Sequence, residues 1–167
     1  MTDYISSQLL TTSINVEMKN IKGDINELLY KLLKKKYECV CNKDGYIQKD
    51  SLQIVNRSIG EVKTINNTSY VVYEITYNAN IYSPVKGTKL TVSINSITKM
   101  GLIGFLKDKE DDTIDNSPFI VIVPRDYFKD ESIDDHTINS TLLVQIEDSR
   151  IKYMSKNIQI VAKPVCD

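Results

Sequence analysis

A single stretch of the sequence has the period of an α-helix, whereas most of the remaining chain alternates with the period of β-strands. Asp24 stands three residues before Glu27, a capping-box pattern that marks a helix N-terminus. Behind it, apolar residues recur at i, i+3, i+4, i+7 and i+8: Ile25, Leu28, Leu29, Leu32 and Leu33. This spacing places them on one face, so the sequence predicts one amphipathic helix in a chain that is otherwise β.

Positive charge is concentrated at the end of this predicted helix. The lysines are Lys31, Lys34, Lys35 and Lys36. Cations are favourable beside the negative end of the helix dipole, so a solvated helix terminus is one interpretation. A contact with nucleic acid, or with an enzyme that acts on it, is the other.

Strand patterns on both sides of the helix predict a small antiparallel sheet. The predicted strands cover residues 8–18, 37–41, 46–47, 52–55 and 70–77. An Asp-Gly pair in the turn Asn42–Gly45 is typical of a hairpin. The polar stretch 61–69 is interpreted as a loop. Residues 1–82 are therefore predicted to form an N-terminal domain, a sheet with one helix on a face.

The pattern becomes purely β after Ile81–Pro84, where proline fixes the backbone. The predicted strands cover residues 86–94, 100–106, 119–123, 141–147 and 157–162. A long connection separates the third strand from the fourth, which is the order of an OB-type Greek-key barrel. The fold class is thus α+β, with a five-stranded OB-type barrel predicted over residues 83–167.

Composition and the N-terminus limit the classes of function. The formal charge is −1 over 167 residues, so any contact with nucleic acid must come from a local patch. No run approaches the roughly 20 apolar residues of a membrane span, so we expect no membrane association. The start, Met1–Ile5, lacks a basic region followed by an apolar core, so we expect an intracellular protein.

No catalytic template is satisfied by the sequence. It has no phosphate-binding glycine loop with a lysine and no Gly-x-Ser-x-Gly turn, so no enzyme activity is expected. Three cysteines, Cys39, Cys41 and Cys166, and the single His136 are too few for a zinc site. The acidic loop 107–116 lacks the alternating ligands of a calcium loop. We therefore expect reduced thiols, a solvated loop, and neither metal nor cofactor.

OB folds bind single-stranded nucleic acid through aromatic side chains and positive charge along one face of the barrel. The candidate RNA-binding residues are Lys89, Lys99, Phe105, Arg125, Tyr127 and Lys129. The alternative interpretation of Phe105 is that it is a core residue. The acidic loop and the net charge predict weak RNA binding, with protein contacts dominant.

Four motifs in collinear order carry a resemblance to a known family. They are Asn42–Ile47, Ile59–Val62, the junction Tyr77–Gly87 with its Pro-Val-Lys-Gly, and Gly101–Gly104. From Leu9 to Val165, their order and spacing resemble the seventh-largest subunit of eukaryotic RNA polymerase II and its archaeal and large-DNA-virus counterparts. Val85 replaces the aromatic residue of the family's junction, and Lys63–Asn67 replaces the proline, aspartate and glycine of its tip loop.

The resemblance implies a non-catalytic stalk subunit of a DNA-directed RNA polymerase, near the RNA exit channel. Such a subunit assists initiation and binds nascent single-stranded RNA. The residues that would dock on the large polymerase subunits are Asp44, Gly45, Tyr46, Ile59, Gly60, Glu61 and Val62. In the family a second stalk subunit packs along both domains, and the sequence leaves open whether this chain has one.

Two other functions stay open at this point. One is a free-standing OB-fold RNA-binding protein of translation or RNA decay. The other is an interaction protein whose barrel does not bind RNA. The divergence from the family indicates a viral member, expected in the virion and host cytoplasm, whereas a cellular eukaryotic member would be nuclear.

Overall fold

The computed structural model describes residues 3–128 and 133–165. Its helix and strands are β1 (Ile5–Glu17), α1 (Ile25–Tyr37), β2 (Tyr46–Ile47), β3 (Gln53–Arg57), β4 (Glu61–Ile65), β5 (Thr68–Tyr82), β6 (Lys89–Ile97), β7 (Gly101–Leu106), β8 (Phe119–Pro124), β9 (Thr141–Arg150) and β10 (Ile158–Pro164). The predicted α+β class is confirmed. Within the described residues, no helix is both long enough and apolar enough to cross a membrane.

The chain divides into two compact units. The sheet unit contains residues 7–38 and 47–81. The barrel unit contains residues 3–6, residues 39–46 and the described residues from 82 onwards. Two segments within residues 1–82 therefore belong to the barrel unit.

α1 covers the sheet with its predicted apolar face. Leu29 and Leu33 are fully buried, in a core that also contains Ile14, Val16 and Ile75. Burial of side chains of this size stabilises a fold by about 1.5–3 kcal/mol each. The predicted N-terminus is confirmed, because the helix begins after an N-cap aspartate whose side chain accepts a hydrogen bond from the Asn26 N–H at 2.9 Å.

The predicted strand at residues 37–41 is wrong. α1 continues to Tyr37, whose hydroxyl is hydrogen-bonded to Thr12 Oγ1 at 2.6 Å. Cys39 has a φ of +61°, a left-handed conformation that a strand does not contain. Cys39 and Cys41 consequently do not share a strand face; both thiols are free, and Cys41 is buried.

The polar stretch 61–69 forms a hairpin, although the sequence pattern favoured a loop. β4 pairs with the start of β5, and Ile65 lies opposite Thr68. Asn66 and Asn67 have φ values of +48° and +62°. Two such residues make the type I′ turn that matches the twist of a hairpin. β5 lies at the centre of the sheet, since β1, β2, β3 and β4 all pair with it.

The second half closes into a five-stranded barrel in the order β10-β8-β7-β6-β9. β8 and β10 are parallel, with Phe119 opposite Ile158, and the other neighbours are antiparallel. This fits the OB-type description predicted from the sequence. A Cβ on Gly101 would lie 2.3 Å from the Val123 carbonyl oxygen, so glycine is required where β7 approaches β8.

Candidate nucleic-acid interface and docking segments

Arg125 links two turns at one end of the barrel. Its Nε donates to the Lys99 carbonyl at 3.1 Å, and its terminal Nη2 donates to the Thr98 carbonyl at 3.2 Å. Its backbone N–H donates to the Met100 carbonyl at 3.1 Å. Nη2 also lies 3.8 Å from Asp134 Oδ1. Arg125 therefore holds the β6–β7 turn, and only part of its five-donor guanidinium is left for a phosphate.

Three of the predicted RNA-binding residues come together at this end of β8. Tyr127 is 41% exposed and ends the 3₁₀ turn that begins at Arg125. Lys99 is exposed in the turn that Arg125 holds. We name Lys99, Arg125 and Tyr127 the β8-end group.

The other three predicted RNA-binding residues do not join this group. Lys89 begins β6 and lies eight extended residues, roughly 27 Å, from Ile97 at the other end of that strand. Phe105 is only 7% exposed, so its ring offers no face on which a base could stack. Lys129 lies outside the described residues.

A second basic cluster was not found by sequence reasoning. It lies at the end of β9 and in the loop that leads to β10, where Arg150, Lys152 and Lys156 are exposed and Tyr153 is 63% exposed. Within the described chain, none of these three cations has an acidic partner. A cleft of about 190 Å³ is lined by Arg150, Lys152, Ser155, Asn157 and Gln159. We name Arg150, Lys152, Tyr153 and Lys156 the β9–β10 cluster.

Hydrogen bonds from the segment 39–46 hold this loop in place. The Cys41 N–H donates to the Ser155 carbonyl at 2.8 Å, and the Met154 N–H donates to the Cys41 carbonyl at 2.8 Å. The Cys41 thiol donates to the Asn157 carbonyl at 3.5 Å. Burial raises the pKa of this thiol, so it stays protonated at neutral pH and acts as a packing group.

The two groups lie at opposite ends of β8. The β9–β10 loop precedes Ile158, which is paired with Phe119 at the start of β8. The β8-end group lies at the Pro124 end of the strand, five residues and roughly 17 Å further along. Between them the outward side chains are apolar, because Ile103 pairs with Ile122 and Ile120 is half-buried.

This arrangement corresponds to the binding face of OB folds in general. There, the second and third strands and the loops L12 and L45 contact oligonucleotides. In this barrel, those strands are β7 and β8, and those loops are the β6–β7 turn and the β9–β10 loop. The candidate interface is therefore an apolar strip between two groups of cations and tyrosines.

The acidic loop opposes nucleic-acid binding at one end of this face. It joins β7 to β8 and carries Asp108, Glu110, Asp111, Asp112 and Asp115. The Asp112 carboxylate accepts from the N–H groups of Asp108 and Lys109 at 2.9 and 2.7 Å, so it stabilises the loop itself. In the described part of the chain, no group of three or more His, Cys, Asp or Glu residues could hold a metal ion.

The first predicted docking segment is mostly buried. Tyr46 is in the barrel unit's core against Tyr82, Gly45 is buried, and only Asp44 of the three is exposed. Burial is the main cause that raises the pKa of the Tyr46 hydroxyl. Ser83 Oγ donates to the Asp44 carbonyl at 2.7 Å. This segment is thus a structural turn, with little side-chain surface for a partner.

The second predicted docking segment is exposed, and it belongs to the sheet unit. Ile59 is 96% exposed and Val62 is 62% exposed, whereas Glu61 lies 3.8 Å from the Lys63 Nζ. Gly60 has a φ of +97°. A partner could therefore contact the apolar side chains of this segment directly.

Neither a protein-family model nor a curated protein matches this chain. The likeness to polymerase stalk subunits is therefore carried by the motifs quoted from the sequence.

Proposed function

We propose that this protein is a non-catalytic subunit of a DNA-directed RNA polymerase whose OB-type barrel contacts single-stranded RNA near the exit channel. The observation that carries the proposal is the apolar β7–β8 strip flanked by the β8-end group and the β9–β10 cluster. The collinear motifs support the assignment to a polymerase.

On this proposal the RNA backbone follows β8 from one group to the other. Lys152, Lys156 and Arg150 bind phosphates, while Tyr153 and Tyr127 supply the faces on which bases stack. Each stacked base contributes about 1–3 kcal/mol, without preference for sequence. The acidic loop at the start of β8 keeps the affinity modest, which suits a transcript that must move past the subunit.

Docking on the large subunits is assigned to the exposed Ile59–Val62 segment. Its two apolar side chains would be buried in the complex, which contributes about 25 cal/mol per Å² of apolar surface removed from water. The turn at Asp44 would contribute through that side chain alone.

Copurification tests the assignment to a polymerase. The full chain, tagged and expressed in its native host or virus, is expected to purify with the two large catalytic polymerase subunits. The double variant Ile59→Asp/Val62→Asp should reduce their recovery, whereas Val55→Asp, at an apolar β3 residue about as exposed as Val62, should not. Absence of the large subunits from the wild-type preparation would refute the proposal.

RNA binding tests the barrel face. A fluorescent oligouridine titrated at low salt should bind the wild-type chain. The variant Lys152→Ala/Tyr153→Ala should weaken binding about 10-fold, and Lys89→Ala should change it by less than about 2-fold. RNA binding without copurification of the large subunits would favour a free-standing OB-fold RNA-binding protein.

A further inference from the structure

β1 forms one edge of the sheet, and in the described part of the chain no strand pairs with its outer side. It is 13 residues long and contains no proline, lysine or arginine. Natural proteins place such residues on exposed edges to prevent pairing with another chain. The outer backbone groups of residues 9–17 of β1 are therefore open to an extended segment.

A cleft of about 560 Å³ lies between β1 and α1 within the sheet unit. It is lined by Ser13, Ile14, Asn15, Leu32, Lys35 and Lys36. Ile14 and Leu32 give it an apolar floor, and Ser13 and Asn15 belong to the edge strand. A side chain from a segment paired with β1 would enter this cleft, because strand side chains stand roughly perpendicular to the sheet.

Within the described residues, the positively charged side chains that line the cleft form no ion pairs. Two lysines of α1 have acidic partners: Lys31 with Glu27 at 3.1 Å, and Lys34 with Asp50 at 2.5 Å. The two that line the cleft, Lys35 and Lys36, have none within the described residues. Lys36 Nζ lies 5.2 Å from the centre of the Tyr37 ring. A ligand that enters the cleft therefore meets two cations.

The carboxylate in contact with the cleft lining is that of Glu74. It accepts a hydrogen bond from Ser13 Oγ, and Glu74 lies on β5, the neighbour of β1 on its paired side. Within the described residues, Glu74 forms no ion pair with Lys35 or Lys36, so their charge remains available to a ligand at the edge of β1.

We propose that β1 and α1 form a docking site for an extended acidic segment of a partner protein, which adds to the free edge of β1 as a strand. An apolar side chain of that segment packs on Ile14 and Leu32, and its carboxylates reach Lys35 and Lys36. Backbone pairing supplies affinity, and the two lysines select acidic over basic segments. The cleft belongs to the sheet unit alone, so the docking does not depend on RNA binding by the barrel.

Fluorescence anisotropy with synthetic peptides tests this site on the purified full chain. The probe is a labelled peptide of about ten residues, rich in valine and threonine, with two glutamates. Two companion peptides carry lysines in place of the glutamates, or a proline at the centre. The glutamate peptide should bind at least about 10-fold tighter than either companion, since one lacks charge complementarity and the other cannot pair.

Variants of the chain test where the glutamate peptide binds. Lys35→Glu/Lys36→Glu should weaken the glutamate peptide about 10-fold, whereas Lys22→Glu/Lys31→Glu, with the same change of charge outside the cleft, should weaken it less than about 2-fold. Circular dichroism of both variants establishes that they fold. Hydrogen exchange should show slower exchange of the β1 amides, around residues 13–15, when the peptide is bound.

Three results would overturn the proposal. They are equal affinity for the glutamate and lysine peptides, equal affinity for the proline peptide, or unchanged binding to Lys35→Glu/Lys36→Glu. A wild-type chain that sediments as a dimer and binds no peptide would show that a second copy occupies the edge, which also refutes it. Peptide binding and copurification with polymerase are separate measurements, so either can fail while the other holds.

Discussion

At Gly60 the backbone has a φ of +97°, and a Cβ would lie 2.7 Å from Val71 Cγ1 and 2.9 Å from Tyr73 Cε1. Both the conformation and the lack of space therefore require glycine. The backbone conformation of Gly60 sets the directions in which the nearby exposed side chains of Ile59 and Val62 point. The proposed docking segment, whose apolar side chains are exposed to water, would depend on this constraint to keep one geometry.

Gly60→Ala is expected to destabilise the protein by about 1–3 kcal/mol, since backbone strain and a steric clash add. Urea denaturation of the purified chain measures this. Gly23→Ala is the matched control: its φ is +70°, but nothing lies within 4 Å of its Cβ position. Equal destabilisation by the two substitutions would show that the contacts with Val71 and Tyr73 are unimportant.

Two buried groups of the barrel unit predict a loss of stability at alkaline pH. Burial raises the pKa of the Cys41 thiol above its usual 9.0, and that of the Tyr46 hydroxyl above its usual 10.0. Because the folded pKa is higher than the unfolded one, the stabilisation is complete below pH 9 and declines as the pH rises above it. The free energy of unfolding, measured by urea titration, should therefore fall between pH 9 and the folded pKa values.

The variants Cys41→Ala and Tyr46→Phe isolate this effect. Each should flatten the alkaline decline, although each also lowers stability at pH 7: Cys41→Ala removes a buried side-chain atom, and Tyr46→Phe removes a hydroxyl that is hydrogen-bonded to Cys39. A decline of unchanged steepness in the double variant would assign it to other groups.

At the scale of elements, the β4–β5 hairpin sets the positions of the exposed residues of β4. Its two-residue turn uses Asn66 and Asn67, both with positive φ, where glycine at the second position is the common choice. All five residues of β4 are exposed, so its pairing with β5 and its turn determine whether it forms.

Asn67→Gly should stabilise the hairpin by about 0.5–1 kcal/mol, because glycine adopts the left-handed conformation without steric cost. Thermal denaturation measures the gain, and Asn67→Ala, which cannot adopt this conformation as easily, should lower the melting temperature. A gain with both substitutions would mean that the turn is not type I′ in solution.

At the scale of the whole molecule, a formal charge of −1 coexists with a local concentration of cations around β8. The proposed RNA binding would therefore gain little from long-range attraction and would depend on contacts within a Debye length of about 10 Å. The β9–β10 cluster provides three such cations beside one exposed tyrosine.

The salt dependence of oligouridine binding tests whether these three cations contact phosphates. If Arg150, Lys152 and Lys156 each neutralise one phosphate, the slope of log K against log salt for oligouridine should be near −2. Lys152→Ala/Lys156→Ala should reduce its magnitude by about 1.4. A slope that does not change would place the phosphate contacts elsewhere on the barrel.

The local patterns determined much of the fold. The cap at Asp24, the apolar face of α1 and the alternation of the barrel strands were all predicted, because each depends on residues close together in the chain. The OB-type description came from the sequence of strands and connections along the chain. Of the predicted RNA-binding residues, Lys99, Arg125 and Tyr127 come together in space. The family assignment and both docking roles stay predictions.

The tertiary structure decided what depends on distant segments. Residues 37–41 have the composition of a strand, but the hydrogen bond between Tyr37 and Thr12 and the turn at Cys39 favour the helix end. Phe105 is buried, and the β9–β10 loop acquires its shape from Cys41. The periodicity of a sequence indicates which way neighbouring side chains point. Burial, and the hydrogen bonds that hold a loop in place, arise only when segments far apart in the chain meet.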